Sequence, residues 1–409
     1  MADQAKRLQV YETPDVTVTF DSNICQHTAI CLRGLPNVFD IRHKRWVRPE
    51  LATAEEVIAQ VGRCPSGALQ IRNALAVLVL ALWTSGVQTV FAQTKPIVAE
   101  RYYNTFSRAY APLARIRPGE TVVTKTIDAS GYDDTGTVRG VRPNPLTGPF
   151  YVEGAEPGDA LVVRFTRMRM NRNWGFSSYR LGLYSLTPES IEGIYSNRYK
   201  PGEIIKDRDN VVPWDLDLTR QMVRLREPSS AVHKLEFPAK PMLGCVGVAP
   251  AGDFAPTSSP SGSYGGNLDY NEIGEGSIVI LPVSHPGALL FIGDGHALQG
   301  DGEPTGTGIE TSMAVEFVVE VRKKVSLTGP RVETSEHIIS IGSQPEFASS
   351  TNRGLQMATS DMVNWLTSEY KMEPWAAHLL IGYQGRYDIV TVAGSVGLKL
   401  PKTQLPPRQ

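Results

Sequence analysis

This chain of 409 residues has almost no net charge, because its 41 lysines and arginines are balanced by 42 aspartates and glutamates. The resulting formal net charge of -1 gives no electrostatic reason to expect a nucleic acid or an acidic membrane surface as a partner. No internal repeat or low-complexity tract stands out either. At this length the chain has room for two or three domains with a sizeable core.

Cysteines are few and unevenly placed. Cys25, Cys31 and Cys64 lie near the N-terminus, and Cys245 stands alone in the rest of the chain. The region after residue 73 therefore cannot contain an internal disulfide, and cysteine usage does not reveal its redox compartment. An odd trio with one short spacing is more typical of a metal framework than of a disulfide framework.

Glycine (37 residues) and proline (29 residues) are somewhat enriched, which favours turns and short strands over long helices. Strand-like segments follow turn signals at residues 120–127, 160–165, 277–283 and 314–322. The tail differs, because residues 349–370 and 373–383 are typical of helices. The sequence thus predicts an α+β fold, mostly β, with helices at the C-terminal end.

Residues 74–93 form an apolar segment in the interior of the chain, with an unbroken run from Ala74 to Trp83. Its end, Val90-Phe-Ala, fits the small-residue rule for signal-peptide cleavage. Three interpretations stay open: an internal signal peptide left by a gene fusion or a mis-called start, a membrane span, or a buried core helix.

The first two interpretations predict that the large domain is exported or membrane-anchored and that the N-terminal domain stays in the cytoplasm. We therefore divide the chain into a small domain (residues 1–73), the apolar segment (residues 74–93) and a large domain (residues 94–409).

The N-terminal cysteines are spaced like ligands of an iron-sulfur cluster. Bacterial-type ferredoxins use Cys-x2-Cys-x2-Cys with a remote Cys-Pro. Cys25 and Cys31 occupy the first and third places of that pattern, Thr28 stands at the middle place, and Cys64 precedes a proline. Three thiolates suit a [3Fe-4S] cluster, whereas His27 offers a fourth ligand for a [4Fe-4S] cluster. Three unrelated buried cysteines are the remaining interpretation.

The surroundings of these cysteines point the same way. They include Val38-Phe-Asp40, Trp46-Val-Arg-Pro49, Glu55-Glu-Val57 and Cys64-Pro-Ser-Gly-Ala-Leu69. Together, residues 9–73 resemble the divergent single-cluster ferredoxin family. The resemblance implies a small ferredoxin-like domain that carries electrons at low potential for a redox partner, or one whose cluster has a regulatory or vestigial role.

The densest chemistry of the chain lies in the segment Gly293-Asp-Gly-His-Ala-Leu-Gln-Gly-Asp-Gly-Glu303. It combines carboxylates, an imidazole and an amide with glycines, which let the backbone approach a bound ion or substrate closely. Asp-Gly pairs are also common turn formers, so that the segment taken alone fits a metal site and a set of turns equally well.

Segments on both sides decide between these two interpretations. They include residues 147–159, residues 241–250, Tyr264-Gly-Gly-Asn-Leu-Asp269 and Gly308-Ile-Glu-Thr-Ser312. This set resembles the acetamidase/formamidase family over residues 101–401. The resemblance implies hydrolysis of short linear amides, of the formamide or acetamide type, to carboxylate and ammonia. It also implies a divalent metal site in a β-sandwich-like domain and assembly into a homo-oligomer.

Metal-assisted amide hydrolysis suits these residues, because a bound ion lowers the pKa of water and polarises the carbonyl, and a carboxylate can shuttle the proton. Imidazole with carboxylates favours zinc, while oxygen-rich surroundings leave calcium or magnesium open. We predict that Asp269, Asp294 and His296 are metal ligands, with Asp128 as a further ligand. Glu303 is predicted as the general base, with Asp301 also in the catalytic set, and the amides of Asn267 and Gln299 are predicted to orient the substrate. Glu153 and Glu310 are predicted to support these groups from behind.

Two positions depart from the family, whose members often carry histidine where this sequence has Tyr103 and Asn144. These departures imply a metal site that is depleted or rearranged. An alternative function therefore stays open, namely an electron-transfer protein whose large domain is a non-catalytic ligand-binding module. Cys245 is interpreted as a core residue rather than as the nucleophile of a nitrilase-like amidase.

Overall fold

The computed structural model describes residues 8–13, 16–25, 27–64, 66–71, 96–178, 185–187, 189–190, 211–226, 234–343 and 350–408. The chain divides into two compact units, residues 1–93 and residues 94–409. The apolar segment 74–93, for which a signal peptide, a membrane span or a core helix was predicted, lies outside the described residues. Within the described part of the chain, no helix is long and apolar enough to cross a membrane.

The first unit is a small antiparallel sheet with short helices. Its elements are β1 (Gln9–Glu12), β2 (Thr17–Phe20), α1 (Ile30–Gly34), a 3-10 turn (Pro49–Leu51), α2 (Ala54–Val61) and β3 (Leu69–Ile71). β2 is the central strand and pairs with both β1 and β3. α2 begins at a capping box, in which the Thr53 side chain accepts a hydrogen bond from the Glu56 amide and the Glu56 carboxylate accepts one from the Thr53 amide.

The second unit is built mainly of strands. They are β4 (Ala114–Ile116), β5 (Thr121–Lys125), β6 (Leu146–Val152), β7 (Ala160–Met170), β8 (Trp174–Ser178), β9 (Val211–Asp217), β10 (Met222–Leu225), β11 (Glu236–Pro238), β12 (Met242–Gly247), β13 (Ser261–Gly262), β14 (Gly265–Asn267), β15 (Ile278–Pro282), β16 (Leu290–His296), β17 (Glu310–Thr311), β18 (Met313–Arg322), β19 (Arg331–Glu333), β20 (His337–Gly342), β21 (Arg386–Thr391) and β22 (Ser395–Pro401). Two helices, α3 (Thr351–Tyr370) and α4 (Pro374–Gln384), and a 3-10 turn (Lys402–Gln404) complete it.

These strands form two large sheets. Among the described residues, one sheet runs in the order β11-β10-β9-β8-β17-β16-β12-β14-β13, with β6 and β4 attached to it beside β16. The other sheet runs in the order β21-β22-β20-β19-β15-β7-β18-β5. The strands that the sequence predicted at residues 120–127, 160–165, 277–283 and 314–322 correspond to β5, β7, β15 and β18.

The main core lies between the two sheets. Phe150 on β6 meets Phe317 on β18 edge to face, with ring centroids 5.4 Å apart. Because side chains alternate along a strand, β7 sends Val163 and Phe165 into this core and Val162 to the opposite face. Full burial of each such side chain contributes about 1.5–3 kcal/mol to the free energy of folding. The inner faces of the two sheets therefore hold the sandwich together.

The two C-terminal helices cover the outer face of the second sheet. Trp365 and Leu366 of α3 and Ile381 of α4 are buried with Val162 in a second core. A buried ion pair between Arg331 on β19 and Asp361 on α3, at 2.7 Å, fixes the helix to the sheet. Both helices agree with the prediction within a few residues, and the predicted fold class, mostly β with C-terminal helices behind a small N-terminal domain, is confirmed.

Candidate active site

Neighbouring strands of the first large sheet bring the polar residues of the site together. β16 lies between β12 and β17, and His296 on β16 is directly opposite Glu310 on β17. On the other side, Cys245 of β12 is paired with Asn267 of β14. The segment that follows β14 carries Asp269, so the pairing of four strands assembles residues far apart in sequence.

His296 is the centre of a buried cluster of carboxylates. Its Nε2 atom lies 3.5 Å from Asp294 Oδ1 and 3.1 Å from Glu310 Oε1, and all three side chains are at most 3% exposed. Ligand atoms of Asp294, His296 and Glu310 lie within 4.8 Å of one another, and so do those of Asp269, His296 and Glu303. One imidazole thus joins two groups of carboxylates.

Several atoms of this cluster lack partners, although they are buried. Among the described residues, Asp269 Oδ1, Asp294 Oδ1 and Glu310 Oε2 have no hydrogen-bond partner, and His296 Nε2 makes no hydrogen bond of good geometry although Glu310 Oε1 lies 3.1 Å away. An unpartnered buried polar group costs about 1–3 kcal/mol, so native structures leave few of them. Carboxylate oxygens and an imidazole nitrogen are donors that suit a divalent cation such as zinc, and here they form two sets of three that share His296. The residues present therefore fit a metal ion.

A hydrogen bond with Gln299 determines that Nδ1 of His296 carries a proton. The Gln299 Nε2 group donates to the backbone oxygen of Asp269 at 2.5 Å, so that its Oε1 is directed to His296 as an acceptor. The separation between His296 Nδ1 and Gln299 Oε1 is 2.7 Å. Nδ1 therefore carries a proton and donates it, and in the neutral imidazole Nε2 presents a lone pair to the carboxylates. This is the arrangement that a metal-ligating histidine needs.

Gly244 makes room for the carboxylates. A methyl group at this position would lie 2.7 Å from Asp294 Oδ2 and would also clash with Asp269 Oδ1. The backbone oxygen of Gly244 accepts hydrogen bonds from the amides of Leu268 and Asp269. Only glycine therefore lets both aspartates keep their places.

The backbone of the site is unusual at four residues. Asn144, Asp269, Asp294 and Glu303 have positive φ angles of 35°, 45°, 57° and 48°. Non-glycine residues seldom adopt this conformation, and it is easiest for asparagine and aspartate. Each such residue stores strain that the surrounding structure must offset, and strain of this kind concentrates at functional sites.

Burial changes the proton affinity of the cluster. It raises the pKa of Glu303 to about 7 and that of Glu310 to about 8. It also raises the pKa of Asp269 well above the usual value, with the charges of Glu303 and Asp294 adding to the effect. Burial acts to lower the pKa of His296, but Glu310 and Asp294 outweigh it and raise the pKa well above the usual value. Bound protons and a bound cation are therefore alternatives at this cluster.

Two residues predicted for the site lie elsewhere. Asp128 forms a fully buried ion pair with Arg172 at 2.6 Å, and the Asp128 backbone belongs to a turn closed by Tyr132. This pairing already satisfies its carboxylate, so the structure does not support Asp128 as a metal ligand. Asp301 is exposed and accepts a hydrogen bond of 2.7 Å from Asn271, so the structure gives it no place in the cluster.

Three of the other predicted residues, Asn267, Gln299 and Glu310, lie at the cluster, but their partners differ from those that the sequence predicted. The side-chain amides of Asn267 and Gln299 are directed to Asp269, where they position the site, rather than to open space for a substrate. Glu310 joins the cluster itself, although the sequence placed it only in support. Glu153, the other support residue, is exposed.

Asn144 and Cys245 also belong to the site, which the sequence did not reveal. Asn144 Nδ2 donates to Asp294 Oδ2 at 2.9 Å and to Asn267 Oδ1 at 3.0 Å. Cys245 is fully buried, as expected for a core residue, but its thiol lies 2.8 Å from Asn267 Oδ1. Tyr103, the second departure from the family pattern, instead stacks on Tyr110 at 3.7 Å. The sequence did contain one indication of this, because Asn144 stands where family members often carry histidine.

In the first unit, Cys25, Cys31 and Cys64 line one cavity of about 460 Å³ together with His27. All three cysteines are partly exposed and free of disulfides. Burial raises the pKa of the Cys31 thiol. It acts in the same way on Cys64, but hydrogen bonds from Leu69 and Ser66 outweigh it and lower the pKa of that thiol. Three sulfur ligands around one cavity fit an iron-sulfur cluster.

Comparisons with known proteins agree with this division of the chain. The family described as a divergent 4Fe-4S mono-cluster matches residues 11–74. An uncharacterised Escherichia coli protein is 35% identical over 63 residues, which are 15% of this chain and 83% of that protein. The resemblance of the N-terminal domain to single-cluster ferredoxins is confirmed.

The acetamidase/formamidase family matches residues 91–260 and 249–351. A formamidase of Methylophilus methylotrophus is 28% identical over 261 residues, 53% of this chain, and the chain spans only 61% of that protein. The crystal structure of an acetamidase from Yersinia enterocolitica, at 29% identity, has a TM-score of 0.61 and covers 78% of this chain and 96% of that chain. The chain belongs to the acetamidase/formamidase family.

Proposed function

We propose that the second unit hydrolyses a short linear amide, of the formamide or acetamide type, to carboxylate and ammonia with the help of a divalent cation. The single observation that carries this proposal is the set of four buried, unpartnered atoms on Asp269, Asp294, His296 and Glu310. They offer three oxygens and one nitrogen to a cation, and family membership supplies the reaction class.

Asp269, Asp294, His296 and Glu310 would hold the ion, and zinc suits the mixed nitrogen and oxygen donors, with calcium or magnesium as alternatives. When bound, the ion supplies Lewis-acid polarisation of the amide carbonyl and makes water more acidic.

Glu303 is the proton carrier in this proposal. It lies within 4.8 Å of the ligand atoms of Asp269 and His296, and its side chain is only partly buried. Because its pKa is raised to about 7, it can accept a proton from water and give it to the leaving amine at neutral pH.

The remaining polar residues hold this arrangement in place. Gln299 fixes the imidazole of His296, and Asn267 donates to a carboxylate oxygen of Asp269. Rigid supports of this kind are needed because small errors in the position of reacting groups cost much of the rate.

For the first unit we propose a [4Fe-4S] cluster held by Cys25, Cys31 and Cys64 with His27 as fourth ligand, supported by the cavity that all four line. A [3Fe-4S] cluster on the three cysteines is the alternative. When bound, either cluster supplies one-electron exchange with a redox partner. Amide hydrolysis needs no electron, so the two chemistries are independent in this proposal.

We also propose that the chain forms a homo-oligomer. The exposed face of α4 supports this, since Trp375 and Tyr383 are 68% and 79% exposed and Leu379 lies between them. Export or membrane anchoring of the second unit stays a prediction from residues 74–93. Light scattering and fractionation of the expressed protein test these two proposals.

The test of the amidase function is ammonia release from a panel of short amides, with and without a chelator. We expect turnover that the chelator abolishes and that His296→Ala eliminates. His285→Ala is the matched control, because His285 lies outside the cluster with its Nε2 against the backbone oxygen of Pro250. Turnover in the presence of chelator would contradict the cation mechanism, and no turnover of any amide would favour the ligand-binding alternative.

A further inference from the structure

Three side chains next to the cluster form a continuous hydrogen-bonded chain. The Cys245 thiol lies 2.8 Å from Asn267 Oδ1, and Asn144 Nδ2 lies 3.0 Å from the same oxygen. Asn144 Nδ2 also lies 2.9 Å from Asp294 Oδ2, and Asn267 Nδ2 contacts Asp269 Oδ2. Asn144 thus connects the two aspartates through Asn267.

With both aspartates ionised, as a bound cation requires, the amide hydrogen bonds in this chain have one direction each. An ionised carboxylate only accepts, so both asparagines must turn their NH2 groups to the aspartates. Asn267 Oδ1 then accepts from both Asn144 and Cys245. Turning the Asn267 amide over would set its NH2 group against two donors and its oxygen against Asp269.

The cysteine must remain a donor for this arrangement to hold. Burial raises the pKa of the Cys245 thiol well above its usual value, and the charges of Asp294 and Asp269 add to the effect. Because Asn267 Oδ1 only accepts and lies 2.8 Å from Cys245 Sγ, the thiol must supply the proton of this hydrogen bond. It is unsuited to act as a nucleophile, which requires a thiolate.

The chain occupies one oxygen of each aspartate and leaves the other oxygen of each without a partner. Oδ2 of Asp269 and Oδ2 of Asp294 accept from the amides, whereas both Oδ1 atoms are buried and unpartnered. A carboxylate held by one oxygen has lost most of its freedom to rotate. The free oxygens are thereby fixed before any ligand binds.

We propose that Asn144 and Cys245 are positioning residues that aim Oδ1 of Asp269 and Oδ1 of Asp294 at a divalent cation. Asn144 holds Asp294 directly, and both residues hold Asp269 through Asn267. This inference rests on the proposed function, since it requires a cation at the cluster. Groups that orient metal ligands are commonly worth about 10–100-fold in metal affinity.

The test is calorimetric titration of Zn²⁺ into the full chain. Alkylation with iodoacetamide first blocks the three partly exposed cysteines of the N-terminal unit, whereas Cys245 is fully buried. Asn144→Gly removes the amide without straining the positive φ of that residue. We expect about a 10–100-fold loss of Zn²⁺ affinity and an altered visible spectrum of bound Co²⁺, which reports the ligand geometry.

Gln221→Gly is the matched control. Gln221 is also a side-chain amide at positive φ, 52°, and its Nε2 donates to the backbone oxygen of Leu218. It lies outside the cluster, so the same substitution there should leave Zn²⁺ affinity and the Co²⁺ spectrum unchanged.

Two substitutions of Cys245 separate hydrogen bonding from packing. Cys245→Ser keeps a donor within reach of Asn267 Oδ1 and should retain the wild-type affinity and Co²⁺ spectrum, whereas Cys245→Ala should lose affinity as Asn144→Gly does. If Asn144→Gly does not fold, as judged by circular dichroism, this pair decides the question.

The outcomes distinguish the two proposals. Wild-type protein that binds no Zn²⁺ or Co²⁺ would overturn the proposed function and this inference together. Wild-type binding with equal affinity in Asn144→Gly, or equal losses in Cys245→Ser and Cys245→Ala, would overturn the positioning role alone.

Discussion

His296 Nδ1 and Gln299 Oε1 lie 2.7 Å apart, and this hydrogen bond determines which nitrogen of the imidazole faces the carboxylates. Gln299 is itself held by the backbone oxygen of Asp269, so one glutamine connects two residues of the cluster. The geometry of the site therefore depends on the hydrogen bonds of Gln299 as well as on the charged residues.

Substitution of Gln299 should weaken cation binding without removing a ligand. In Gln299→Ala the imidazole can rotate and its proton can move to Nε2, so we expect about a 10–100-fold loss of Zn²⁺ affinity. Titration calorimetry measures it, and Gln221→Ala serves as an amide control outside the cluster. Unchanged affinity in Gln299→Ala would show that the hydrogen bond does not govern the tautomer.

A methyl group at Gly244 should destroy the site. Gly244→Ala places a carbon against Asp269 and Asp294, so we expect loss of cation binding and of amide turnover. Gly382→Ala in α4 is the matched control, because a methyl group there meets nothing within 4 Å. That control should leave activity intact and stabilise the helix by about 0.5–1 kcal/mol, as thermal melting can measure.

Asp128 should matter for stability and not for the cation. Asp128→Ala removes the carboxylate that pairs with the buried guanidinium of Arg172, which costs about 3–5 kcal/mol of unfolding free energy. Denaturant titration measures the loss, and Asp134→Ala, which breaks a surface pair with Lys125, should cost under about 1 kcal/mol. A stable Asp128→Ala protein that no longer binds Zn²⁺ would restore Asp128 to the ligand set.

Without a cation, the stability of the second unit should fall as the pH rises. Glu303 and Glu310 hold protons up to about pH 7 and pH 8 in the folded chain, whereas the unfolded chain releases them near the ordinary glutamate pKa of 4.5. The folded state therefore binds more protons between these values, and the slope of unfolding free energy with pH is negative. The raised pKa of His296 acts in the same direction above the ordinary histidine pKa of 6.5.

Melting temperatures in a chelator at several pH values test this expectation. Glu310→Gln removes one of the titrating groups and should flatten the dependence. Saturating Zn²⁺ should stabilise the protein more at pH 8 than at pH 6, because the cation displaces protons. A melting temperature in the chelator that is constant from pH 5 to pH 8 would contradict the assignment.

The N-terminal cysteines should determine the iron content. Replacement of Cys25, Cys31 or Cys64 by serine should in each case lower the iron content of the protein after anaerobic reconstitution. Cys245→Ser is the cysteine control and should leave the iron content unchanged. Loss of the fourth ligand in His27→Ala should convert a [4Fe-4S] signal to a [3Fe-4S] signal in EPR. Wild-type protein that takes up no iron would refute the cluster.

The sequence by itself determined the division into a ferredoxin-like unit and a β-rich unit, because cysteine spacing and strand patterns are local properties. It also predicted His296, Asp294, Asp269 and Glu303 as residues of the site, since they lie in or near one glycine-rich segment or its flanking motif. Glycine-rich turns and carboxylates in one short window are visible without any knowledge of the fold.

Only the tertiary structure decided which groups surround His296. Glu310 enters the cluster because β17 pairs with β16, and Asn144 reaches Asp294 across a separation of 150 residues. Asp128 lies apart from the cluster, because it pairs in the core with Arg172, 44 residues away. Strand pairing and buried ion pairs are long-range contacts, and the spacing of residues along the chain does not encode them in any local pattern.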